Sequence, residues 1–279
     1  MSLVSFEGKT AVVTGGGSGI GQQVVWDMLE LGGRVVAVDL DEEGLKTTES
    51  QTAHGGRLVV FVGDVSKPED SAAMMEAAVD AFGGLDILVA NAGVVGTFGS
   101  MLNVSAESVA RTLRINVVGV FLGIRDAARI MKERGVGGSI VVTASVAGLR
   151  AGAGPVDYSA SKAAVIGMVS AAASDLAPNS MGGPVIRVNA VAPGLVETGM
   201  TRPLFELARA KGSEDKIGQL NPCRRPGFTS DVSSAVMFLA SDDASSYVNG
   251  QVLAVDGGLS SSHPVVPPKL VSVNRLSKL

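Results

Sequence analysis

The sequence has very few of the side chains that usually form disulfides, hold metals or make nucleophile-base pairs. Its 279 residues include one cysteine, Cys223, and two histidines, His54 and His263. A single cysteine excludes an internal disulfide framework and a thiolate metal site, and we expect no metal. Two histidines far apart in the sequence give little support to a Ser-His-Asp hydrolase or a histidine-ligated zinc enzyme.

Long apolar runs and an excess of positive charge are also missing. No uninterrupted apolar stretch reaches the roughly 18 residues that cross a bilayer, so we expect no membrane span. The N-terminus lacks a basic segment followed by an apolar run, and no signal peptide is expected. The formal net charge of -4 argues against nucleic acid or an anionic membrane as a partner.

The residues that are present favour an α/β fold. Glycine occurs 36 times and aromatic residues make up 4% of the chain, which suits helices that approach a sheet closely. Short apolar runs alternate with helical patterns, and this alternation predicts right-handed crossovers and one doubly wound parallel sheet with helices on both faces.

The elements follow from these patterns. The predicted strands are Thr10 to Thr14, Arg34 to Asp39, Leu58 to Gly63, Leu85 to Ala90, Ser139 to Thr143, Ile186 to Ala192 and Leu253 to Val255. The predicted helices run from the first glycine loop to Leu31, from near Glu42, from Pro68 to Phe82, from Ala106 to Arg134, from the region of Tyr158 to Ala177, and from Ser230 to Ala240.

A glycine-rich loop, residues 15–21, stands between the first predicted strand and the helix that follows it. A strand, a glycine loop and a helix in this order place backbone N–H groups at a helix N-terminus, where a phosphate binds. The loop departs from the usual G-x-G-x-x-G pattern and has its glycines at Gly15, Gly19 and Gly21 among others. A merely flexible turn is the alternative, but the position between strand and helix favours phosphate binding.

Asp39 ends the second predicted strand, 18 residues after Gly21. A carboxylate at this place binds the adenosine ribose hydroxyls of NAD. At about 5 Å it would repel the 2′-phosphate of NADP by roughly 3 kcal/mol, about a hundredfold in affinity. Ser18 and Leu40 supply no compensating cation, so the sequence predicts NAD over NADP. Alternatively, Asp39 caps the helix that begins near Glu42.

Tyr158 and Lys162 stand at the start of a long run of small and apolar residues that predicts a buried helix. Four residues apart on a helix, they share one face. An ammonium about 4 Å from the phenol would favour the phenolate by about 4 kcal/mol at an effective dielectric constant of about 20. The pKa of Tyr158 would then fall from about 10 to near 7, where an acid–base catalyst works best. An ordinary Tyr and Lys at helical spacing is the alternative.

Glycine or a polar residue follows nearly every predicted strand, at the edge where ligands bind in such sheets. These residues are Gly15, Asp39, Asp64, Asn91, Ser145 and Pro193-Gly194. With them in place, the chain resembles the short-chain dehydrogenase/reductase family, common single-domain type, over roughly 8–258. The motifs that carry the resemblance are Thr14-Gly15-x-x-x-Gly19-x-Gly21, Asn91-Ala92-Gly93, Pro193-Gly194-x-x-x-Thr198, Asp256-Gly257-Gly258 and the set Asn116, Ser145, Tyr158 and Lys162.

The resemblance implies a Rossmann-type fold and four catalytic residues. Tyr158 would exchange a proton with the substrate oxygen as a hydride passes between substrate and nicotinamide. Lys162 would lower the pKa of Tyr158 and bind the nicotinamide ribose. Ser145, 13 residues before Tyr158, would hydrogen-bond the substrate oxygen. Asn116 would hold a water that links Lys162 to solvent, or would be a structural residue that satisfies backbone groups in a kinked helix.

The resemblance also implies which residues hold the dinucleotide. Asp64 and Val65 would meet the adenine, Val196 and Thr198 the carboxamide, and Asn91 would either touch the cofactor or tie neighbouring strands together. The predicted set is Gly15, Ser18, Gly19, Ile20, Gly21, Asp39, Leu40, Asp64, Val65, Asn91, Ala92, Gly93, Tyr158, Lys162, Pro193, Gly194, Val196 and Thr198.

The predicted substrate pocket is mainly apolar and suits an uncharged secondary alcohol or ketone. The loop 147–156 would flank Ser145, and Val94, Val95 and Phe98 would stand opposite it. The more polar segment 197–219 would form a mobile lid with Met200, Leu204 and Phe205 facing inward. The predicted pocket residues are Val95, Ala147, Leu149, Ala153, Val156, Met200 and Leu204. Ordinary core packing is the alternative for these apolar side chains.

The sequence also permits other substrates and a function other than catalysis. Arg150 or Arg202 would suit an anionic substrate group, although surface arginines are commoner. A 3-hydroxyacyl thioester is the alternative substrate class. A non-catalytic dinucleotide-binding scaffold is the alternative to an enzyme, because a fold does not fix a function. The intact set of Ser145, Tyr158 and Lys162 favours an enzyme.

Residues 1-259 are predicted to form the catalytic domain, and residues 260-279 an extended tail in which three prolines disfavour helix and sheet. The chain ends in Ser277-Lys278-Leu279, a peroxisomal address in a host with peroxisomes; otherwise we expect a cytoplasmic protein. The long helices that begin near Ala106 and Tyr158 resemble those that pair family members. We therefore expect a homotetramer or a homodimer.

Overall fold

The computed structural model describes residues 4–53 and 55–263. The strands are β1 (Thr10–Thr14), β2 (Arg34–Asp39), β3 (Leu58–Val62), β4 (Ile87–Ala90), β5 (Gly138–Thr143), β6 (Ile186–Pro193) and β7 (Val252–Val255). Within the described residues these seven strands form one sheet in the order β3-β2-β1-β4-β5-β6-β7, with every pair parallel. The strand order reverses beside β1, so a crevice opens between the segments that follow β1 and β4.

Helices connect the strands and cover both faces of the sheet. They are α1 (Gly19–Glu30), α2 (Glu42–Ser50), α3 (Pro68–Phe82), α4 (Ala106–Leu113), α5 (Gly119–Glu133), α6 (Val156–Asp175), α7 (Arg202–Ala210), α8 (Thr229–Ala240) and α9 (Asp242–Ser245). The predicted single-domain, Rossmann-type doubly wound parallel sheet is confirmed.

The core has two layers because successive strand residues point to opposite faces. On β1, Val12 packs with buried residues of α3, α5 and α6, such as Met75. Its neighbours Ala11 and Val13 pack with buried residues of α1, α2 and α8, such as Val236. The strands are thus apolar on both faces, which is typical of a parallel sheet between two helical layers.

The long helix predicted from Ala106 to Arg134 is interrupted in its middle. A π-helical segment, Arg114–Val118, joins α4 to α5 and contains Asn116. The extra residue of a π-helical turn turns Asn116 toward neighbouring elements, and such turns are frequent at functional sites. The predicted long helix therefore covers the expected residues, with a π-helical turn at Asn116.

Some sequence-based expectations fall on other parts of the chain. Residues 264–279, which carry most of the predicted tail and Ser277-Lys278-Leu279, lie outside the described residues. Among the residues that are described, no helix has the length and apolarity to cross a bilayer. The same residues contain no group of three or more His, Cys, Asp or Glu side chains arranged to hold a metal ion.

Candidate active site

A cavity of about 400 Å³ opens along the carboxyl ends of the strands. It lies at the reversal of strand order beside β1, where sheets of this kind bind their ligands. The segments that follow β1 to β6 contribute to its walls, and α4 and α6 contribute as well. Its volume lies within the range of about 300–1,000 Å³ that is typical of small-molecule and cofactor sites.

The loop after β1 turns sharply into α1. Gly15 and Gly19 have φ angles of +70° and +55°, a left-handed backbone that favours glycine. A Cβ at Gly19 would lie 3.2 Å from the Thr198 side chain on the opposite wall, so the backbone lies close to that wall. Ser18 precedes α1 in an extended conformation, and its side chain caps no N–H group among the described residues. The N-terminus of α1 is therefore fit to bind a phosphate.

The carboxylate of Asp39 is fixed at the end of β2 and lines the cavity. Its Oδ2 accepts a hydrogen bond from Gly17 N at 3.0 Å, and its Oδ1 accepts one from Asp41 N at 3.1 Å. Asp41, not Asp39, is the N-cap residue of α2, so the alternative role of Asp39 as that cap is excluded. A fixed negative charge thus stands beside the glycine loop.

Asn91 ties three adjacent strands together. Its Nδ2 donates to Thr14 O of β1 at 3.1 Å, and its Oδ1 accepts from Thr143 Oγ1 of β5 at 3.1 Å. Thr14 Oγ1 in turn accepts hydrogen bonds from Asn91 N and Ala92 N. Asn91 also lines the cavity, so its position is compatible with both of the roles predicted for it.

Ser145 stands where β5 meets a short 3₁₀ turn, Val146–Gly148. Its Oγ accepts a hydrogen bond from Ala147 N at 3.1 Å. The same hydroxyl lies close enough to the Tyr158 phenol to lower its pKa. Ser145 is buried and lines the cavity, so local backbone geometry directs its hydroxyl toward the space in front of Tyr158.

Tyr158 and Lys162 lie one turn apart on α6, and both line the cavity. Lys162 Nζ is 5.7 Å from the centroid of the Tyr158 ring and donates a hydrogen bond to Thr143 O at 2.7 Å. Lys162 is 3% exposed. Burial lowers its pKa to about 8, because the interior disfavours the charged ammonium.

The expected fall of the Tyr158 pKa toward 7 is not found. Burial raises the pKa of Tyr158 above its ordinary value of 10.0, and the hydrogen bond with Ser145 lowers it by less. The physical reason is that burial removes the water that would stabilise a phenolate. Lys162 directs its ammonium to Thr143 O, and desolvation outweighs the attraction on which the prediction was based.

Asn116 is fully buried under the segment that follows β4. Its Oδ1 accepts a hydrogen bond from Val94 N at 2.8 Å, and its Nδ2 donates to Val94 O at 2.9 Å. Nδ2 also donates to Ser161 Oγ at 3.0 Å, and Ser161 Oγ donates to Tyr158 O at 2.7 Å. A structural Asn116 that satisfies backbone groups is expected to make hydrogen bonds of this kind. They also connect Asn116 to α6, the helix that carries Tyr158.

Most residues predicted to hold a dinucleotide line this one cavity. They are Gly15, Ser18, Gly19, Ile20, Asp39, Leu40, Asp64, Val65, Asn91, Ala92, Gly93, Tyr158, Lys162, Pro193, Gly194, Val196 and Thr198. Gly21 does not line it. A Cβ at Gly21 would overlap Gly15 O and approach Asn91 Nδ2, so this glycine instead allows α1 to pack tightly against its own loop.

Most residues predicted to form the substrate pocket lie outside this cavity. Met200 lines the cavity, but the other predicted pocket residues do not; these are Val95, Ala147, Leu149, Ala153, Val156 and Leu204. Of the residues expected opposite the loop 147–156, Val94 lines the cavity but Val95 does not, because successive residues of an extended segment point to opposite sides. Phe98 is exposed and does not line it either.

The exposure or burial of the other predicted pocket residues explains why they do not line the cavity. Leu149 and Val156 are each 41% exposed and Leu204 is 50% exposed, so their side chains face outward. Ala153 is exposed as well, and Ala147 is buried within the 3₁₀ turn. In the predicted lid, Phe205 is the residue of α7 that turns inward and is buried.

Neither arginine considered for an anionic substrate lines the cavity. Arg150 donates hydrogen bonds to the carbonyl oxygens of Ser260 and Ser262. Arg202 begins α7 and is exposed. The arginine that does line the cavity is Arg111 of α4, which sequence reasoning missed.

Helical spacing could have identified Arg111 from the sequence. Ile115 immediately precedes the predicted Asn116 and lines the cavity, and Arg111 lies one turn before it on the same face. Thr201 was also missed, although it lies three residues after Thr198. Its Oγ1 donates to Val196 O at 2.5 Å and accepts from Thr198 N at 2.9 Å, so it braces the segment that follows β6.

The sheet, the glycine loop and the cavity define a Rossmann-type nucleotide-binding protein. A family model described as "Enoyl-(Acyl carrier protein) reductase" matches residues 15–260. The 3beta-hydroxysteroid dehydrogenase 2 of Eggerthella lenta is 39% identical over 259 residues, covering 91% of this chain and 95% of that protein. The chain belongs to the short-chain dehydrogenase/reductase family, which binds a nicotinamide dinucleotide and includes oxidoreductases that act on CH–OH groups.

Solved structures agree with this assignment. The crystal structure of levodione reductase is 32% identical, with a TM-score of 0.84, and the match covers 92% of this chain and 100% of that one. The structure of ElxO with NADP bound is 29% identical, with a TM-score of 0.82, and the match covers 91% of this chain and 99% of that one.

Proposed function

We propose that this chain is an NAD-dependent oxidoreductase that interconverts a secondary alcohol and a ketone. The observation that carries the proposal is that Ser145, Tyr158 and Lys162 line the same cavity as the glycine loop and Asp39. An acid–base group, its hydroxyl partner and a buried cation thus share one cleft with an anion-binding helix N-terminus.

Each of the three side chains has a separate role in this proposal. The bound dinucleotide supplies or accepts the hydride. Tyr158 gives a proton to the ketone oxygen, or removes one from the alcohol, at its phenolic oxygen. Ser145 donates a hydrogen bond to the oxygen on which negative charge develops. Lys162 holds the ribose nearest the reacting ring and stabilises the phenolate form of Tyr158 electrostatically.

The preference for NAD over NADP is proposed from Asp39. Its carboxylate is held by Gly17 N and Asp41 N, so it is not free to turn away from a ligand. A 2′-phosphate about 5 Å from this charge would cost roughly 3 kcal/mol, or about a hundredfold in affinity. Leu40, the next residue, lines the cavity without offering a cation.

The test is a broad panel of secondary alcohols, each assayed with NAD and with NADP by absorbance of the reduced nicotinamide. We expect NADH production with at least one alcohol and a markedly lower kcat/KM with NADP. The double substitution Asp39→Ser and Leu40→Arg should raise the kcat/KM with NADP. A wild-type preference for NADP would refute the cofactor assignment.

Tyr158→Phe tests the catalytic assignment, and the chain offers a matched control. Tyr247, the other tyrosine, is fully exposed. Tyr158→Phe should reduce turnover by about 10²–10⁴-fold, whereas Tyr247→Phe should leave it unchanged. More than a few per cent of turnover in Tyr158→Phe would contradict the assignment. No turnover by the wild type with any alcohol would favour a dinucleotide-binding scaffold instead.

A 3-hydroxyacyl thioester is the second candidate substrate class. It is favoured by a relative, the 3-oxoacyl-[acyl-carrier-protein] reductase FabG of Thermotoga maritima, which is 38% identical over 256 residues. A 3-hydroxyacyl thioester and the corresponding free 3-hydroxy acid belong in the panel. Turnover of the thioester but of no simple alcohol would move the proposal to this class.

We also propose that the chain forms a homotetramer. Val118 and Phe121, at the junction of the π-helical segment and α5, are 44% and 49% exposed, which suits a covered apolar face. Sedimentation equilibrium at several concentrations would detect tetramers, dimers or monomers directly.

The division of the chain and its location are proposed from the sequence. Residues 1-259 would form the catalytic domain and 260-279 an extended tail, whose last three residues would direct the protein to peroxisomes in a eukaryotic host. A fluorescent protein fused to the last dozen residues should enter peroxisomes. A fusion that stays cytosolic would remove the assignment.

A further inference from the structure

Asp157 is a buried carboxylate next to Tyr158 in the chain. It is the second residue of α6 and is 2% exposed. Among the described residues, no Lys or Arg forms an ion pair with it. A buried carboxylate without a cation is costly unless hydrogen bonds satisfy its oxygens, so its hydrogen-bond donors indicate what it does.

The donors come from three separate segments. Thr112 Oγ1, on α4, donates to Oδ2 of Asp157 at 2.9 Å. Thr97 N, in the segment after β4, donates to both carboxylate oxygens at 3.2 and 3.1 Å. Tyr158 N donates to Oδ1 at 2.9 Å, within the first turn of α6. One carboxylate therefore connects α4, the segment 94–99 and α6.

Gly96 allows this close approach. Its φ is +78°, and a Cβ built there would lie 2.5 to 2.7 Å from the carboxylate atoms of Asp157. No side chain fits in that space, and the left-handed backbone favours glycine independently. Two residues that are 61 positions apart in the sequence are thus both needed for the contact.

Each connected segment also contributes a wall of the cavity. Val94 begins the segment 94–99, Arg111 precedes Thr112 on α4, and Tyr158 follows Asp157; all three of these neighbours line the cavity. The carboxylate itself is behind these walls. Its hydrogen bonds therefore join the walls of the cavity from outside it.

We propose that Asp157 is a positioning residue that holds the segment 94–99 and α4 at the distance from Tyr158 that the substrate needs. The inference rests on the proposed function, because it concerns the substrate end of the same cavity. Without the carboxylate, Thr97 N and Thr112 Oγ1 lose their acceptor and this end widens. The glycine loop and Asp39 lie on other segments, so dinucleotide binding should persist.

Hydrogen bonding, rather than charge, is the basis of this role. The Asn side chain keeps one oxygen that accepts from Thr97 N, and its amide can donate to the Thr112 hydroxyl, which also accepts. Asp157→Asn should therefore restore most of what Asp157→Ala loses. A purely electrostatic role would predict no rescue.

The kinetic test compares these two variants with a control at another buried carboxylate. Asp126 of α5 is 1% exposed, bonds to Ser71 and two arginines, and does not line the cavity. In Asp157→Ala, kcat/KM for the best alcohol of the panel should fall by about a hundredfold. Most of this loss should fall on KM, and the dissociation constant of NADH should change by less than about threefold. Asp126→Ala should destabilise the protein without this change in KM.

Amide hydrogen exchange gives a readout that does not depend on turnover. Asp157→Ala should increase exchange in the segment 94–99 and the start of α4 by at least about tenfold, relative to the strands. Asp126→Ala should not produce this local change. Unchanged exchange in the segment, equal acceleration throughout the protein, or an unchanged KM in Asp157→Ala would each overturn the proposal.

The two proposals fail separately. If the wild-type chain oxidises no alcohol of the panel, the proposed function fails, and the exchange data alone decide whether Asp157 holds the segment. If the wild type is active and Asp157→Ala retains its KM, the positioning role fails and the proposed function stands.

Discussion

Lys162 Nζ stands 5.7 Å from the centroid of the Tyr158 ring, while its hydrogen bond goes to Thr143 O at 2.7 Å. The ammonium thus lies near the phenol, but its hydrogen bond goes to a backbone carbonyl and not to the phenol. Burial acts on the two groups in opposite directions, raising the pKa of Tyr158 and lowering the pKa of Lys162 to about 8.

The pH dependence of catalysis should therefore be alkaline. Oxidation of an alcohol needs the deprotonated phenol as base, and ketone reduction needs the protonated phenol as acid. Because burial raises the pKa of Tyr158 above its ordinary value, the kcat/KM for oxidation should keep rising with pH up to about pH 10, and that for reduction should stay nearly constant over the same range. A flat oxidation profile from about pH 6 to about pH 9 would contradict this expectation.

Lys162 should reduce stability at neutral pH. Its pKa is 10.5 ordinarily and about 8 in the fold, so between these values the unfolded chain binds more protons and stability rises with pH. Below about pH 8 the buried ammonium lowers the free energy of unfolding by about 3 kcal/mol. Its hydrogen bond to Thr143 O offsets about 1 kcal/mol of this loss. Lys162→Met should thus raise the free energy of unfolding by about 2 kcal/mol at about pH 7, and by less at about pH 10.

Urea unfolding at the two pH values measures this difference. The exposed Lys132 of α5 provides the control, because Lys132→Met replaces a lysine that is already in contact with solvent. Its effect should be small and should not vary with pH in the same way. A Lys162→Met protein that is less stable than the wild type at neutral pH would show that the ammonium is stabilised by contacts beyond Thr143 O.

Asn116 should contribute to stability through the backbone of Val94. Asn116→Ala leaves both Val94 N and Val94 O without their buried partner, and each unsatisfied group costs about 1–3 kcal/mol. We expect the free energy of unfolding to fall by about 3 kcal/mol in urea titrations. Asn103→Ala, at an exposed position, should change it by less than about 0.5 kcal/mol. Equal stability of the two variants would exclude the structural role.

Arg111 should attract the dinucleotide. Among the described residues, Arg111 and Lys162 are the Lys and Arg side chains that line the cavity, and a dinucleotide carries two phosphates. Arg111→Gln should raise the dissociation constant of NADH about fivefold at low salt, corresponding to about 1 kcal/mol. The effect should shrink as salt rises, because added ions screen an exposed charge. Arg114→Gln, an exposed neighbour that does not line the cavity, is the matched control.

Local patterns in the sequence were sufficient for much of the fold. The bounds of β1, β2 and α3 agree with their predictions, because an apolar run ending on Asp39, or a proline at the first turn of α3, is a short-range signal. The spacing of Tyr158 and Lys162 likewise predicts a shared helix face, which α6 has. Such features depend only on residues a few positions apart.

Side-chain direction in the loops was less predictable. Val94, Val95, Met200 and Leu204 were all expected to face the substrate, but only Val94 and Met200 of these line the cavity. In an extended segment a shift of one residue reverses the direction of the side chain, and outside regular elements no period specifies that shift. The composition of the segments 147–156 and 197–219 therefore predicted their polarity but not which residues face inward.

By itself, the sequence determined the alternation of strands and helices, the glycine loop, the acid at the end of β2 and the helical pairing of Tyr158 with Lys162, because each depends on near neighbours along the chain. Only the tertiary structure decided the direction of the Tyr158 pKa shift, the place of Arg111 in the cavity and the contacts of Asp157 with Thr97 and Thr112. Those properties depend on burial and on contacts between distant segments, and packing of the whole sheet and its helices sets both.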